Sequence, residues 1–143
     1  MKSFSDERGG MKKYPIYIFS VLFILVWQST ASAYDPERAV NNYAHDLATC
    51  SAFYMLISEA PNLDEATSKK YLDAGVSLGQ LSVKLTSKKL ALARFELELK
   101  SMKREMENDW GNASIILNKY GYFCKDLAEK PEARMQYWLD KKE

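Results

Sequence analysis

The residue types that most often carry catalysis are scarce in this chain. Its 143 residues include one histidine, His45, and two cysteines, Cys50 and Cys124. A catalytic His45 would need a carboxylate to orient it, but adjacent helix positions point about 100° apart, so Asp46 is poorly placed for that role. We therefore interpret His45 as an ordinary helical residue, and we predict that the protein has no catalytic residues and is not an enzyme.

Metal and phosphate sites are not indicated either. One histidine and two widely separated cysteines do not have the ligand spacing of a transition-metal site. Glu96 and Glu98 are two positions apart and so face different directions on a helix. The chain has no glycine-rich phosphate loop and no nucleophile elbow. The sequence predicts no metal site and no other cofactor.

The N-terminal segment has the pattern of a secretory signal peptide. Two lysines follow Met11, an apolar run covers 16–27, and small residues occupy 31–33. This pattern predicts cleavage after Ala33 and a periplasmic or secreted protein. The alternative is an uncleaved transmembrane anchor, but the apolar run is shorter than the roughly 20 residues that a bilayer requires. Residues 1–10 precede the usual cationic region, and we interpret them as a dispensable or non-native extension.

Residues 34–143 are expected to form a single helical domain with almost no net charge. Removing 1–33 takes away four of the 20 Lys and Arg residues and two of the 19 Asp and Glu residues, which leaves a net charge of −1. Domains that bind nucleic acid or acidic membrane surfaces normally have a strongly basic face. We therefore expect no nucleic-acid partner, and no stable membrane insertion after the signal peptide is cleaved.

The two cysteines are predicted to form a disulfide. Pairing is the default in an oxidising compartment, and two cysteines allow one connectivity. Closing the long loop between Cys50 and Cys124 would stabilise the fold by about 4 kcal/mol on the chain-entropy model, before any strain is subtracted. The alternative is that Cys50 and Cys124 are free thiols that serve as small core residues.

Hydrophobic periodicity predicts helices throughout the domain, and the longest periodic stretch is 71–106. Its apolar residues recur at intervals of three and four, which places them on one face of a helix. We expect one long helix to about Asn108, with 86–89 as its weakest part, and we expect the other segments to cover its apolar stripe. The stripe consists of Tyr71, Ala74, Leu78, Leu81, Leu85, Leu92, Phe95, Leu99, Met102 and Met106.

A shorter helix is predicted before this stretch. It begins at Pro36, with Asp35 as its N-cap, because proline is favoured at the first helical position and aspartate accepts hydrogen bonds from free N–H groups. Pro61 ends it after about Glu59. Asn62 is the predicted cap of the next helix.

Two more helices are predicted at 113–129 and 131–142, with Gly111 in the left-handed cap position between the long helix and the third. The fold class is therefore all-α: an antiparallel bundle of three to four helices with one long central helix, stapled by the disulfide. Gly75 and Gly79 share a helix face, and we expect them to let a neighbouring helix approach closely.

Aromatic residues are numerous for a helical domain of this size. Most are expected to fill the core and its ends. Tyr122, Tyr137 and Trp138, near the C-terminus, are the candidate partner-binding residues, because tyrosine and tryptophan are favoured as anchors at protein interfaces.

The profile that remains is that of a small exported protein that acts by binding another protein. Inhibitor, immunity, exclusion and envelope-assembly accessory factors all have this profile, and the partner itself is unidentified. A second copy of the chain is a further candidate, since the long helix outreaches the first and a homodimer through it would cover the rest of its stripe. Such a binding protein predicts an exposed apolar patch of several hundred Å².

The main alternative is a carrier of a small apolar ligand in the bundle core. Methionine side chains would be an adaptable lining for such a ligand. This function predicts an enclosed apolar cavity of roughly 300 Å³ or more. The methionines in question are Met55, Met102, Met106 and Met135.

Overall fold

The computed structural model describes residues 35–141, and within them the chain forms five α-helices and one 3-10 turn. None of these helices combines the length and the apolarity needed to cross a bilayer. The predicted signal peptide, its cleavage site and the extension 1–10 lie outside the described residues. The helices are α1 (Pro36–Ser58), α2 (Glu65–Leu85), α3 (Lys88–Glu105), α4 (Ala113–Glu129) and α5 (Pro131–Asp140), and the 3-10 turn is Trp110–Asn112.

The predicted fold class, an all-α bundle with a Cys50–Cys124 disulfide, is confirmed. α2 runs antiparallel to α1. A side chain in the first turn of α2 donates a hydrogen bond to the last residue of α1, and Ser82, near the end of α2, donates one to Ala44. α3 then runs parallel to α1, with Arg94 bonded to Asn41 near the start of α1. Consecutive helices of the first three are therefore antiparallel neighbours.

The centre of this bundle is α1 and not the stretch 71–106. α1 packs against all four of the other helices. Of its 23 residues, 13 are buried, whereas α2 buries three residues and α3 buries two. The prediction that the other segments mainly cover the stripe of 71–106 is therefore wrong, because the element that they cover is α1. The start of α1 is as predicted, with the carboxylate of Asp35 accepting a hydrogen bond from the N–H of Glu37 at 3.0 Å.

The stretch 71–106 is also not one continuous helix. α2 ends at Leu85 and α3 begins at Lys88, because the residues between them leave the helical conformation. Thr86 has φ −131° and ψ −101°, and Ser87 is extended with φ −153° and ψ 157°. The hydroxyl of Ser87 accepts a hydrogen bond from the N–H of Leu90 at 3.2 Å, as an N-cap does. The break thus falls in the segment predicted to be the weakest, where a capping serine interrupts the apolar stripe.

Small residues set the distance between α1 and α2. A Cβ added at Gly75 would lie 2.6 Å from the Cγ of Met55 and 3.0 Å from the carbonyl oxygen of Ser51, and one added at Gly79 would lie 2.9 Å from the Oγ of Ser51. The Ser51 hydroxyl donates to the Gly75 carbonyl at 2.8 Å, and the Ser82 hydroxyl donates to a carbonyl of α1 at 2.8 Å. The predicted close approach at Gly75 and Gly79 is confirmed. We call this contact the small-residue seam; it consists of Ala44, Ala48 and Ser51 on α1 with Gly75, Gly79 and Ser82 on α2.

The seam determines which side of α2 is buried. Successive residues of a helix point 100° apart, so the buried face of α2 is centred roughly 60° away from the centre of the predicted apolar stripe. Leu81 and Leu85 therefore lie on one flank of the helix and remain 40% and 37% exposed. Close contact between backbones, rather than leucine burial, decides the orientation of α2.

The C-terminal helices are joined to α1 by the disulfide and by the core around it. Cys50 and Cys124 are fully buried, with their Cα atoms 5.2 Å apart. Side chains from α1, α3 and α4 meet around the bridge, so the core is shared between both halves of the chain. Its largest members are Tyr43, Leu47, Phe53, Leu56, Ile57, Leu78, Met102, Met106, Ile116, Tyr120 and Leu127.

Two local predictions about helix ends are wrong. The N-cap of α2 is Asp64 rather than Asn62, and its carboxylate accepts a hydrogen bond from the N–H of Thr67 at 2.9 Å. The left-handed conformation after α3 is adopted at positions 107 and 108, both with φ 56°, and not at Gly111. The predicted bounds of α4 and α5, by contrast, agree with the structure to within two residues.

Gly75 and Gly121 form a matched pair for testing the seam. Gly121 lies within α4 and has no atom within 4 Å of an added Cβ. We expect Gly75→Ala to lower the free energy of unfolding by about 1–3 kcal/mol because Ser51 and Met55 must move, and Gly121→Ala to raise it by about 0.5–1 kcal/mol through helix propensity. Urea denaturation followed by circular dichroism measures both. Equal effects of the two substitutions would contradict close contact at the seam.

The disulfide closes a loop with a sequence separation of 74 residues. Reduction is expected to lower the free energy of unfolding by about 4 kcal/mol, because the reduced unfolded chain gains conformational entropy. Urea denaturation with and without a thiol reductant measures this difference. A Cys50→Ala, Cys124→Ala variant should show no effect of the reductant, and an unchanged midpoint for the parent protein would contradict the prediction.

Candidate binding surfaces

The three aromatic residues predicted to bind a partner occupy different environments. Tyr122 lies on α4 and is 83% exposed, and Tyr137 lies on α5 and is 48% exposed. The Tyr137 ring is 5.2 Å from the ring of Trp138. The structure therefore brings Tyr137 and Trp138 together and places Tyr122 on a separate helix, so a partner role for the set of three stays a prediction.

Trp138 fastens α5 to α1. Its indole N–H donates to the Oδ2 of Asp46 at 2.5 Å, and the Nε of Arg134 donates to the same oxygen at 2.7 Å. The Arg134 guanidinium also lies 4.9 Å from the centre of the Phe123 ring and 4.4 Å from that of Tyr137. A buried carboxylate that accepts two such hydrogen bonds fixes the position of a helix with no buried residue of its own. We call Asp46, Arg134 and Trp138 the carboxylate clamp.

Most of the exposed large apolar side chains lie outside the C-terminal helices α4 and α5. Within residues 35–141, seven of the 11 such side chains are on α2 and α3. This exposed surface was not predicted, because Leu81, Leu85 and Leu92 fit the apolar stripe that other segments were expected to cover. The seven are Leu72, Val76, Leu81, Leu85, Leu90, Leu92 and Leu97.

Three of these leucines form a continuous edge, which we call the leucine edge: Leu81, Leu85 and Leu90. Leu81 and Leu85 are neighbours one turn apart on α2. Leu85 and Leu90 line the same open cavity of about 750 Å³, at the start of α1. The remaining lining is mostly polar and includes Asp35 and Asn41, so an apolar centre has a polar border.

A separate apolar groove lies between α2 and α3, with α1 as its floor. Val83 and Leu92 line it, and each is two positions from a residue of the leucine edge, which at 100° per residue places it on the other flank. The groove has a volume of about 480 Å³. It opens to solvent, so it differs from the enclosed core cavity that a carrier was predicted to have. The three helices contribute Ala48, Ser51, Met55, Val76, Gly79, Gln80, Ser82, Val83, Lys84, Lys88, Ala91, Leu92 and Phe95.

A cluster of charged and polar groups joins α3 to α4. Glu105 accepts hydrogen bonds from Lys119 at 2.9 Å and from the Tyr120 hydroxyl at 3.1 Å. Partial burial raises the pKa of Glu105, but these hydrogen bonds outweigh it and hold the pKa below its usual value. The hydrogen bond to Glu105 raises the pKa of Lys119 above its usual value. Both groups are therefore charged near neutral pH and act as a tie between helices.

His45 lies in a simpler setting. Its Nε2 is 3.6 Å from a carboxylate oxygen of Glu98, and its side chain is 49% exposed. This is the geometry of a surface pair between α1 and α3. Across residues 35–141, no three potential metal-ligating side chains lie close enough to hold an ion.

The carboxylate clamp can be tested by Asp46→Ala. Removing the shared acceptor removes the hydrogen bonds that Arg134 and Trp138 donate to Asp46, and we expect the free energy of unfolding to fall by about 2–3 kcal/mol. Amide hydrogen exchange should increase most in α5. Glu129→Gln, which removes an exposed pair with Lys125, should change stability by less than about 0.5 kcal/mol. Unchanged exchange in α5 would contradict the clamp.

Two candidate surfaces thus lie on the α2 and α3 pair, one on each flank. The leucine edge adjoins the start of α1, and the apolar groove lies over its middle. No protein-family model, curated protein or solved structure matches this chain.

Proposed function

We propose that this protein acts by binding another protein through the leucine edge, with no catalysis of its own. The observation that carries the proposal is the cluster of exposed leucines on α2 and α3 with a polar border around it. Contiguous apolar patches on small proteins mark interaction sites, and an apolar centre with a polar rim is the usual anatomy of an interface.

We propose that this binding takes place in the periplasm or outside the cell. The signal-peptide pattern of 11–33 supports export, and the disulfide supports an oxidising compartment. A disulfide-stapled module of this size fits an inhibitor, an immunity or exclusion factor, or an accessory subunit of an envelope assembly.

Site-specific photo-cross-linking in the source cells tests the proposal. Benzoylphenylalanine is placed at Leu85 and, as the control, at Leu117, which is similarly exposed but lies on α4. We expect one protein adduct of defined mass from position 85 and none from position 117. Adding Leu81→Ser and Leu90→Ser should reduce the yield at least tenfold, because each buried leucine contributes about 1.5–3 kcal/mol at most to an interface.

The outcome is read by mass spectrometry of the adduct. An adduct of two identical chains would show that the partner is a second copy of this chain and not a different protein. Equal adducts from both positions, or no adduct from position 85, would contradict the proposal. The serine variants should melt within a few degrees of the parent protein, since all three leucines are partly exposed.

A further inference from the structure

The apolar groove is formed by hydrocarbon side chains whose neighbouring polar groups are already satisfied. The Ser51 and Ser82 hydroxyls at its floor donate to carbonyl groups across the small-residue seam, both at 2.8 Å. No buried side-chain oxygen or nitrogen of the described residues lacks a hydrogen-bond partner. An occupant of the groove therefore needs to bring no hydrogen-bonding group into it, and hydrocarbon is the chemistry that fits.

Positive charge is concentrated at one end of the groove. Lys84 and Lys88 line it and flank the two-residue break between α2 and α3, which places both ammonium groups at the same end. Among residues 35–141, neither ammonium group is paired with a carboxylate. Lys88 begins α3, where a cation opposes the helix dipole, and α3 has no acidic residue in its first turn. An anion at this end would be favoured by the two lysines, which no carboxylate of these residues neutralises.

The length of the groove suits a hydrocarbon chain. The part of α3 that lines it, from Lys88 to Phe95, rises by about 10 Å at 1.5 Å per residue. The groove has a volume of about 480 Å³ and opens to solvent. An extended or gently bent hydrocarbon chain can lie along it.

We propose that the apolar groove binds a free fatty acid or a similar single-chain anionic amphiphile. The hydrocarbon tail lies over α1 between Val76, Val83 and Leu92, and the anionic head lies between Lys84 and Lys88. Burial of each methylene contributes about 0.8 kcal/mol, so the tail supplies most of the affinity and the lysines supply selectivity for an anion. This site is independent of the leucine edge, which lies on the other flank of the same helices.

Calorimetric titration of protein purified after expression of the full chain tests the site, with dodecanoate below its critical micelle concentration as the probe. Dodecanol is the neutral counterpart, and dodecyltrimethylammonium is the cationic one. We expect saturable binding of dodecanoate, weaker binding of dodecanol and the weakest binding of the cation. Lys84→Gln with Lys88→Gln should weaken dodecanoate roughly five- to tenfold and leave dodecanol unchanged. Lys89→Gln, the adjacent lysine outside the groove, should change neither.

Apolar controls separate the groove from the rest of the surface. Leu92→Asn should weaken dodecanoate and dodecanol alike, whereas Leu97→Asn, which is 68% exposed and does not line the groove, should alter neither. Leu81→Ser with Leu85→Ser should also leave dodecanoate binding intact, so failure of this site and failure of the leucine edge are distinguishable. Circular dichroism melts of every variant establish that it is folded.

Three results would overturn the proposal. The first is the absence of saturable dodecanoate binding by the folded protein. The second is equal affinity for dodecanoate and dodecanol, or an unchanged affinity in the double lysine variant. The third is binding to phosphatidylglycerol vesicles without binding to free dodecanoate, which would assign the lysines to a membrane surface instead.

Discussion

The close contact between α1 and α2 is the constraint on which the rest of the fold depends. Gly75 and Gly79 bring the two backbones together, and the hydroxyls of Ser51 and Ser82 each reach a carbonyl on the opposite helix. A buried hydroxyl that loses its partner costs about 1–3 kcal/mol, so the two bonds fix both the distance and the register of the helices. Once this register is set, α2 cannot rotate about its axis to bury its leucines.

Both candidate surfaces follow from that orientation. Because the seam takes up the central face of α2, the larger apolar residues lie on its two flanks. Leu81 and Leu85 become part of the leucine edge on one side, and Val76 and Val83 become walls of the apolar groove on the other. The break at Thr86 and Ser87 turns α3 back along α2, so that apolar residues from both helices contribute to each surface. The packing of α2 against α1 thus leaves two different exposed surfaces on α2 and α3.

Local signals in the sequence predicted the fold well. Asp35 and Pro36 mark the start of α1, and Pro131 marks the start of α5, because capping and proline geometry act over a few residues. The cysteine pairing was also predictable, because two cysteines in an exported chain allow one connectivity. The close approach at the glycines was predictable because residues four apart share a helix face. What could not be predicted was the face of α2 that would be buried, because the periodicity of leucines is the same whichever partner helix is present.

Contacts between distant parts of the chain explain the rest of what sequence reasoning missed. The carboxylate clamp joins Asp46 to a helix almost at the other end of the chain, and no periodic pattern marks such a contact. The clamp also gives Trp138 a structural role that its residue type alone did not reveal. Tyr122, by contrast, is as exposed as a candidate binding residue should be, although it lies on a different helix from the other two.

The central position of α1 has a consequence for the order in which the molecule can assemble. Among the described helices α1 is synthesised first. Arg134 and Trp138, which bind Asp46, follow it by 88 and 92 positions, and Cys124 follows Cys50 by 74 positions. α1 therefore stays partly uncovered until residues 124–138 have been made, so its packing cannot be completed stepwise as these helices are synthesised. Because the chain has two cysteines, oxidation within one molecule has no incorrect product. The competing reaction joins two molecules, so keeping newly made chains apart matters more for correct oxidation than disulfide isomerisation does.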